Sequence, residues 1–355
     1  MKIAHILWGL STGGTECMLV DIVNEQVKDN QVLVLVVDDN INKSLQKKID
    51  PRVKFFCCKR KPGSKDVLAV LKLNFQLFLF RPSVTHLHMG YGLGRIVFWP
   101  GTKVRTVHAT TNSSDEYHMF KRIFAISTAV KKEIKNQGYD SKIVYNGIKT
   151  QQVKNGKSNK KNDTCVHIVQ VGRLLMREKG QNLLIEAVAQ LKKSFGEEKI
   201  QPLKIHFVGF GADLEALQIM IDKYDLKNHF IFEGLKDRDW VYQHLCDFDL
   251  FVQPSYLEGF GLTVAEAVAA KVPVLVSDID GPLEILTSKK KGKLLGWVFK
   301  SGDVNDLSQK LAAFLENGYD QNLVEEAYVQ VVENFDVCET ANNYLLEYKN
   351  LTSKE

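Results

Sequence analysis

FDLFVQPSYLEGFGLTVAEAVAAKVPVLVSD, residues 248–278, contains two short apolar runs separated by a loop and a helical stretch. FDLFVQPS and VPVLVSD have the length of strands and are rich in Val, Leu and Phe, as expected for strands covered on both faces. LTVAEAVAA between them reads as a helix. Strand, helix and strand in that order make a parallel crossover unit.

The same unit recurs on either side. The first half carries the strand-like runs KIAHILWGL, QVLVLVV, VKFFCC, VTHLHM, VRTVHA and KRIFAIS, with helical pieces such as CMLVDIVNEQVKD between them. A polar, basic stretch with two glycines, around residues 145–163, then interrupts the pattern and marks a linker. CVHIVQVGRL, KIHFVGFG and HFIFEGL restart it ahead of the stretch quoted above. At 355 residues the chain exceeds one typical core. The expectation is an α/β protein of two doubly wound, Rossmann-like domains, at 1–148 and 164–335, with a linker at 149–163. Ligands of this architecture bind at the carboxyl ends of the strands, in a cleft.

Within the opening stretch, Glu258 and Glu266 stand eight positions apart with Gly259 and Gly261 between them. On one continuous helix the two carboxylates would sit roughly 80° apart and miss a common target. The glycines instead belong to a loop, and the helix starts near Leu262 or Thr263. Helical side chains tilt toward the N-terminus, so Glu266, one turn in, leans toward the loop that carries Glu258. Two carboxylates and a helix N-terminus suit a ligand with an anionic group and hydroxyls. A solvated Glu258 and an ordinary first-turn Glu266 fit the spacing equally well.

Composition narrows the class. No run of 18 apolar residues occurs, so no membrane-spanning helix is expected, and the opening MKIAHILWGLSTGG reads as a first strand rather than a signal peptide. Six cysteines show neither zinc spacing nor disulfide density, which points to a reducing cytoplasm. Charge is asymmetric. Residues 1–160 hold 26 Lys and Arg against 12 Asp and Glu, a balance of +14, while the remainder holds 21 against 30, a balance of −9. A basic half faces nucleic acid, an anionic membrane or an anionic substrate; no nucleic-acid recognition motif is present, so a nucleic-acid partner is not expected.

Further residues fit an anionic ligand. Gly13 and Gly14 follow the first strand and open a helix with Glu16 in its first turn, without forming a dinucleotide fingerprint. Arg173 ends a strand and Lys179 lies six residues on, at the expected start of a helix, where a cation opposes the helix dipole by roughly 0.3–1 kcal/mol. A diphosphate held between the two would reverse that penalty, with Arg177 a third cation or a solvated one. Three pairs, Asp237/Asp239, Asp247/Asp249 and Asp278/Asp280, have the spacing for a hard cation, but their turn-like settings favour local roles, and no metal site is expected. His108 sits at a strand's carboxyl end, alongside His86, His88 and His118 in the same half. Neither a serine-nucleophile elbow nor a zinc-protease motif occurs.

Taken in order, GGTE, VHA at 107–109, AIS then YNGI, VGR followed by KG, FVQPS and the two glutamates of EGFGLTVAEA make the chain resemble the retaining glycosyltransferases of family 4, of the bacterial polysaccharide or glycolipid type, from residue 1 to about 350. The resemblance implies the GT-B fold, an acceptor-binding first domain and a nucleotide-sugar-binding second domain. It also implies that the last helix, within 336–355, crosses back to the first domain, with Tyr344, Leu345 and Tyr348 forming one stripe. Glu266 would hold ribose hydroxyls, and Glu258 with the amides of Phe260, Gly261 and Leu262 would meet sugar and diphosphate. Arg173 and Lys179 would neutralise the leaving diphosphate, with no metal and no cofactor beyond the nucleotide-diphosphate sugar as co-substrate. Gly14 would admit the phosphate and acceptor, and His108 would bond a sugar hydroxyl, although Ala109 stands where the family often has Asp.

The reaction expected is transfer of a sugar to a saccharide or lipid-linked saccharide. A sugar epimerase or phosphorylase on the same fold, or a donor-binding partner subunit without catalysis, are the alternatives. DVLAVLKLNFQLFLFRPS, residues 66–83, carries more apolar surface than one sheet-facing stripe needs. With Lys59, Arg60, Lys61, Lys65 and Lys72 nearby, it reads either as a deeply buried helix or as a dock for an anionic membrane surface, which would make the protein peripheral on the inner face of the cell membrane.

Overall fold

The computed structural model describes residues 1–11, 13–88, 90–109, 114–156 and 164–353. The chain divides into two compact units, one of Met1–Lys149 together with the stretch from Phe335 onward, the other of Thr150–Asn334. Thr150 and Val153, in the expected linker, are buried in the second unit, and the Lys154 amide donates to the Tyr242 carbonyl at 2.9 Å. Residues 157–163 of that linker lie outside the described residues.

The first unit is built on strands β1 (Lys2–Leu7), β2 (Gln31–Asp38), β3 (Lys54–Arg60), β4 (Val84–His88), β5 (Thr102–Val107), β6 (Arg122–Ala125) and β7 (Lys142–Ile143). They pair in the order β3-β2-β1-β4-β5-β6-β7, and every pair is parallel. The unbroken apolar run of β2 has the reason anticipated: Val32 to Val37 are all buried, because helices cover both faces.

The second unit repeats the plan with β8 (Val166–Val171), β9 (Leu203–Val208), β10 (Phe230–Gly234), β11 (Leu250–Gln253), β12 (Val274–Ser277) and β13 (Trp297–Phe299), in the order β10-β9-β8-β11-β12-β13, again parallel. Both are Rossmann-like, doubly wound domains. The two-residue β7 and three-residue β13 are too short to show as apolar runs in the sequence. In each sheet the winding reverses once, between β1 and β4 and between β8 and β11, and loops at such a reversal part to leave a crevice.

The final helix, Val337–Thr352, packs on the first unit. Tyr344 and Tyr348 are fully buried in a core with Ile3, Met18, Val84, Val104 and Phe124, and Leu345 packs partly buried against it. Two ties fix where the chain arrives: the Ile148 amide donates to the Phe335 carbonyl and the Val337 amide to the Ile148 carbonyl, both at 2.9 Å. Among the described residues no helix is long and apolar enough to cross a membrane.

Candidate functional site

In the second unit the site grows from the neighbouring strands β8 and β11. The chain leaving β8 passes Gly172 and Arg173, makes the one-turn helix Met176–Lys179, and turns through Gly180 into the long helix Gln181–Phe195. Gly180 has φ +64°, and a Cβ there would lie 1.8 Å from the Pro254 carbonyl oxygen. Only glycine lets the two loops touch. That contact delivers Lys179 to the loop after β11, where its Nζ sits 2.5 Å from Glu258 Oε2.

Gln253, the last residue of β11, donates from Nε2 to the same Glu258 oxygen at 2.6 Å and accepts at Oε1 from the Thr263 hydroxyl at 2.9 Å. Glu258 is thus oriented by two donors on Oε2, which leaves Oε1 to accept a hydroxyl from a ligand. The side chains of Lys179 and Glu258 are 18% and 16% exposed, so a ligand arriving at this mouth meets a sheltered cation rather than a solvated one.

The helix expected at Leu262 or Thr263 spans Leu262–Ala269. Gly261 before it has φ +102°, a backbone that other residues rarely adopt, and provides no side-chain cap. Phe260 and Glu266 are buried, and Glu266 is the fifth residue of the helix. The helices at Gly14, Gln181 and Leu262 start without a side-chain cap, as do those at Leu93, Leu214 and Asp280, whereas Asp66, Ser127, Asp237, Asp303 and Asp336 cap theirs with side-chain acceptors. Uncapped N-termini at the carboxyl edges of the sheets leave amide donors for an anionic group.

Two expectations change. Lys179 does not start a helix: it ends the one-turn helix, and Gly180 stands between it and the next, because the chain must turn before the long helix can begin. The dipole penalty assigned to it therefore falls away, since a cation at a helix C-terminus is favourable. Arg173, expected to act with Lys179 on an anion, has a carboxylate of its own chain as partner. The Arg173 side chain is 72% exposed and pairs with Glu178 at 3.2 Å, and Arg177 lies 4.0 Å from the same carboxylate. The acidic pairs do local work: Asp237 accepts from the Trp240 amide at 2.8 Å, Asp249 from the His167 amide at 2.8 Å and Asp278 from the Ser301 amide at 2.6 Å.

Sequence reasoning gave no role to Gln253, Thr263 or Gln170. Gln170 in β8 donates to the Lys179 carbonyl at 2.8 Å, and its own Oε1 is buried without a partner among the described residues. The available signal was a buried amide in an otherwise apolar strand, as in VHIVQV and LFVQ.

In the first unit Gly14 opens the helix Gly14–Gln26 after β1, and the Ser11 hydroxyl donates to the buried Glu16 carboxylate of its first turn. His108 directly follows β5 and ends a line of polar side chains across one face of the sheet. His5 shares a hydrogen bond with His88 at 2.9 Å and another with Gln26 at 2.8 Å. His86 bonds the Tyr348 hydroxyl and, at 2.7 Å, the Thr106 hydroxyl, which meets the Tyr344 hydroxyl at 2.9 Å.

His5, His86 and His88 lie close enough to ligate one cation, yet five of their six ring nitrogens already serve protein hydrogen bonds. His108 differs. Its ring lies 5.8 Å from that of His88, and both its nitrogens are buried without a partner among the described residues. Burial, with Arg105 nearby, pushes its pKa down to about 3, so the ring is neutral at physiological pH. A neutral imidazole donates from one nitrogen and accepts at the other, which matches a sugar hydroxyl.

Residues 151–330 match the family described as Glycosyl transferases group 1. The putative colanic acid biosynthesis glycosyltransferase WcaL of Escherichia coli K12 is 29% identical over 181 residues, 49% of this chain and 42% of that protein. The putative teichuronic acid biosynthesis glycosyltransferase TuaC of Bacillus subtilis 168 is 28% identical over 258 residues, 68% of this chain and 60% of that one. The chain thus spans about half the length of these curated relatives. Among solved structures, Anabaena HepE in complex with UDP superposes with a TM-score of 0.78 at 18% identity, covering 99% of this chain and all of that one, a likeness of fold. With the family match extending over just over half of the 355 residues, and covering β8 to β13 with the Lys179–Glu258 mouth, the chain belongs to the glycosyl transferases group 1.

Proposed function

We propose that the protein is a retaining glycosyltransferase of family 4 that moves a sugar from a nucleoside-diphosphate sugar to a saccharide or lipid-linked saccharide, without a metal ion. The observation that carries this reading is the Lys179–Glu258 pair at the uncapped start of the Leu262–Ala269 helix. A cation and open amides suit a diphosphate, and a carboxylate with one free oxygen suits a sugar. The relatives' names place them in polysaccharide assembly, and the similarly folded HepE was crystallised with UDP.

In this reading the ribose hydroxyls meet Glu266, while the amides of Phe260, Gly261 and Leu262 face the diphosphate. As the bond from the anomeric carbon to the diphosphate breaks, the acceptor's hydroxyl oxygen bonds that carbon on the same face, its proton passes to the departing diphosphate, and negative charge grows on the leaving oxygen. Lys179 is fixed to meet it, and the exposed Arg173 can swing in from Glu178. Glu258 acts as an acceptor for the sugar and as the anchor of Lys179. Two donors on its Oε2 withdraw electron density, so it is a poor nucleophile. His108 holds a sugar hydroxyl through its unpartnered ring, and Gly14 admits a phosphate oxygen or the acceptor to bare backbone.

The test is a panel of uridine, guanosine and adenosine diphosphate sugars with the purified chain, following nucleoside diphosphate release with and without a chelator. The configuration of the product's anomeric proton is read by NMR. Release that survives the chelator, with retained configuration, is expected. An inverted product, a chelator-sensitive rate, or a donor that binds and is neither hydrolysed nor transferred would overturn the reading.

A further inference from the structure

The helix Val67–Phe80 in the first unit is apolar on two opposite faces. At about 100° per residue, Ala69, Leu73, Leu77 and Phe80 form one stripe, and these four are buried against the unit. Val67, Leu68, Leu71, Phe75, Phe78 and Leu79 form a second stripe on the far side, and each is 57–68% exposed. Between the stripes runs a narrow polar margin of Lys72 and Gln76 on one flank and Asn74 on the other.

Asn74 is used up locally and enlarges the outer face. Its Nδ2 donates to the Ile96 carbonyl at 2.8 Å and its Oδ1 accepts from the Phe98 amide at 2.8 Å, which seats Phe98, 69% exposed, beside the helix. Monomeric surfaces rarely gather seven large apolar side chains in one place.

The charges around this face have one sign. Residues 59–81 hold six basic side chains, of which Arg60 is paired with Asp38 at 2.6 Å, and a single acid, Asp66, whose carboxylate is spent capping the helix at the Leu68 and Ala69 amides. Lys61 and Lys65 stand exposed on the approach to the helix and Lys72 on its flank, and Arg81 at its end lies over the Phe78 ring at 5.8 Å. Fourteen residues reach about 21 Å, short of the ~30 Å needed to cross a bilayer, so such a helix can lie only in the plane of an interface.

We infer that the outer face of the Val67–Phe80 helix, with Phe98, docks the first unit on an anionic lipid surface. The apolar side chains enter the acyl boundary while the surrounding lysines and Arg81 meet the headgroups. The side chains of Lys61, Lys65, Lys72 and Arg81 have no polar partner among the described residues, and such a like-charged rim suits a fluid anionic surface better than the mixed polar rim of a protein interface. The inference is independent of the donor chemistry proposed above.

Flotation of the full chain with phosphatidylcholine vesicles, with and without phosphatidylglycerol, tests it. The expected result is binding that requires phosphatidylglycerol, weakens with added salt, and falls more than about tenfold in Phe75→Ser/Phe78→Ser. Lys61→Glu/Lys65→Glu should weaken it as well, with melting temperatures of both variants near that of the wild type showing that the fold persists. No flotation at low salt, equal binding to neutral vesicles, or binding indifferent to the Phe75/Phe78 change overturns the proposal. So does a wild-type dimer in sedimentation velocity that Phe75→Ser/Phe78→Ser converts to monomer, because a second copy would then cover the face.

Discussion

Lys179 and Glu258 stand 79 positions apart in the chain and 2.5 Å apart in space, and the close approach of Gly180 to Pro254 holds them there. The pair works as a unit: the carboxylate aims the ammonium, and Gln253 aims the carboxylate.

Replacing Lys179 with Ala should lower kcat on the preferred nucleotide sugar by about 10²–10³-fold, the scale of losing one charge-stabilising group. Glu258→Gln should lower it as well, and the double variant should lose much less than the product of the two, because each change disables the other partner. Steady-state kinetics of the four proteins check this. Independent effects that multiply would show that the bond between the two side chains is incidental.

Gly180→Ala should destabilise the second unit by more than about 4 kcal/mol, because the added methyl would overlap a carbonyl that cannot move without shifting the Pro254 loop. Gly138, in the first unit, also has positive φ but open space where a Cβ would go, so Gly138→Ala should cost only about 1–2 kcal/mol for backbone strain. Urea denaturation of the two variants gives the comparison, and equal losses would mean that the loop contact is soft.

The buried histidines of the first unit make stability fall in mild acid. Burial holds the His5 pKa down to about 4 against a weaker opposing effect of the Gln26 bond, and shifts His86 and His88 in the same direction. An unfolded histidine protonates near 6.5. Between about pH 6.5 and 4 the unfolded chain therefore binds a proton that folded His5 does not, and stability drops with falling pH by about 1.4 kcal/mol per unit from this residue. In His5→Gln the slope of unfolding free energy against pH should be shallower by one proton across that window. An unchanged slope would show that His5 is already charged in the fold.

Much of this architecture was legible in the sequence because it is local. Strand runs such as QVLVLVV and VPVLVSD announce burial on both faces, and the glycines around Phe260 locate the start of the Leu262–Ala269 helix. Long-range consequences were not legible. That Lys179 would meet Glu258, and that Arg173 would instead pair with Glu178, depends on a turn whose geometry only the packed loops determine. Likewise the stretch 66–83 declares more apolar surface than one stripe needs, but which residues face water depends on the register of the helix on its sheet. His5 drew no notice because a lone histidine in a strand has no meaning until β4 brings His86 and His88 beside it.

The helix Val337–Thr352 completes a core begun at Ile3, and this sets an order of events during synthesis. At about 5–20 residues per second, the ribosome takes on the order of 10–40 s after Lys149 to deliver Phe335, and the side chains of Tyr344 and Tyr348 come later still. Throughout that interval Ile3, Met18, Val84 and Phe124 wait with one face uncovered, and by its end the contiguous Thr150–Asn334 has every residue of its own core while the first unit still lacks Tyr344 and Tyr348. The unit translated first is therefore the last whose core can close, and the nascent chain carries its exposed apolar face through most of translation.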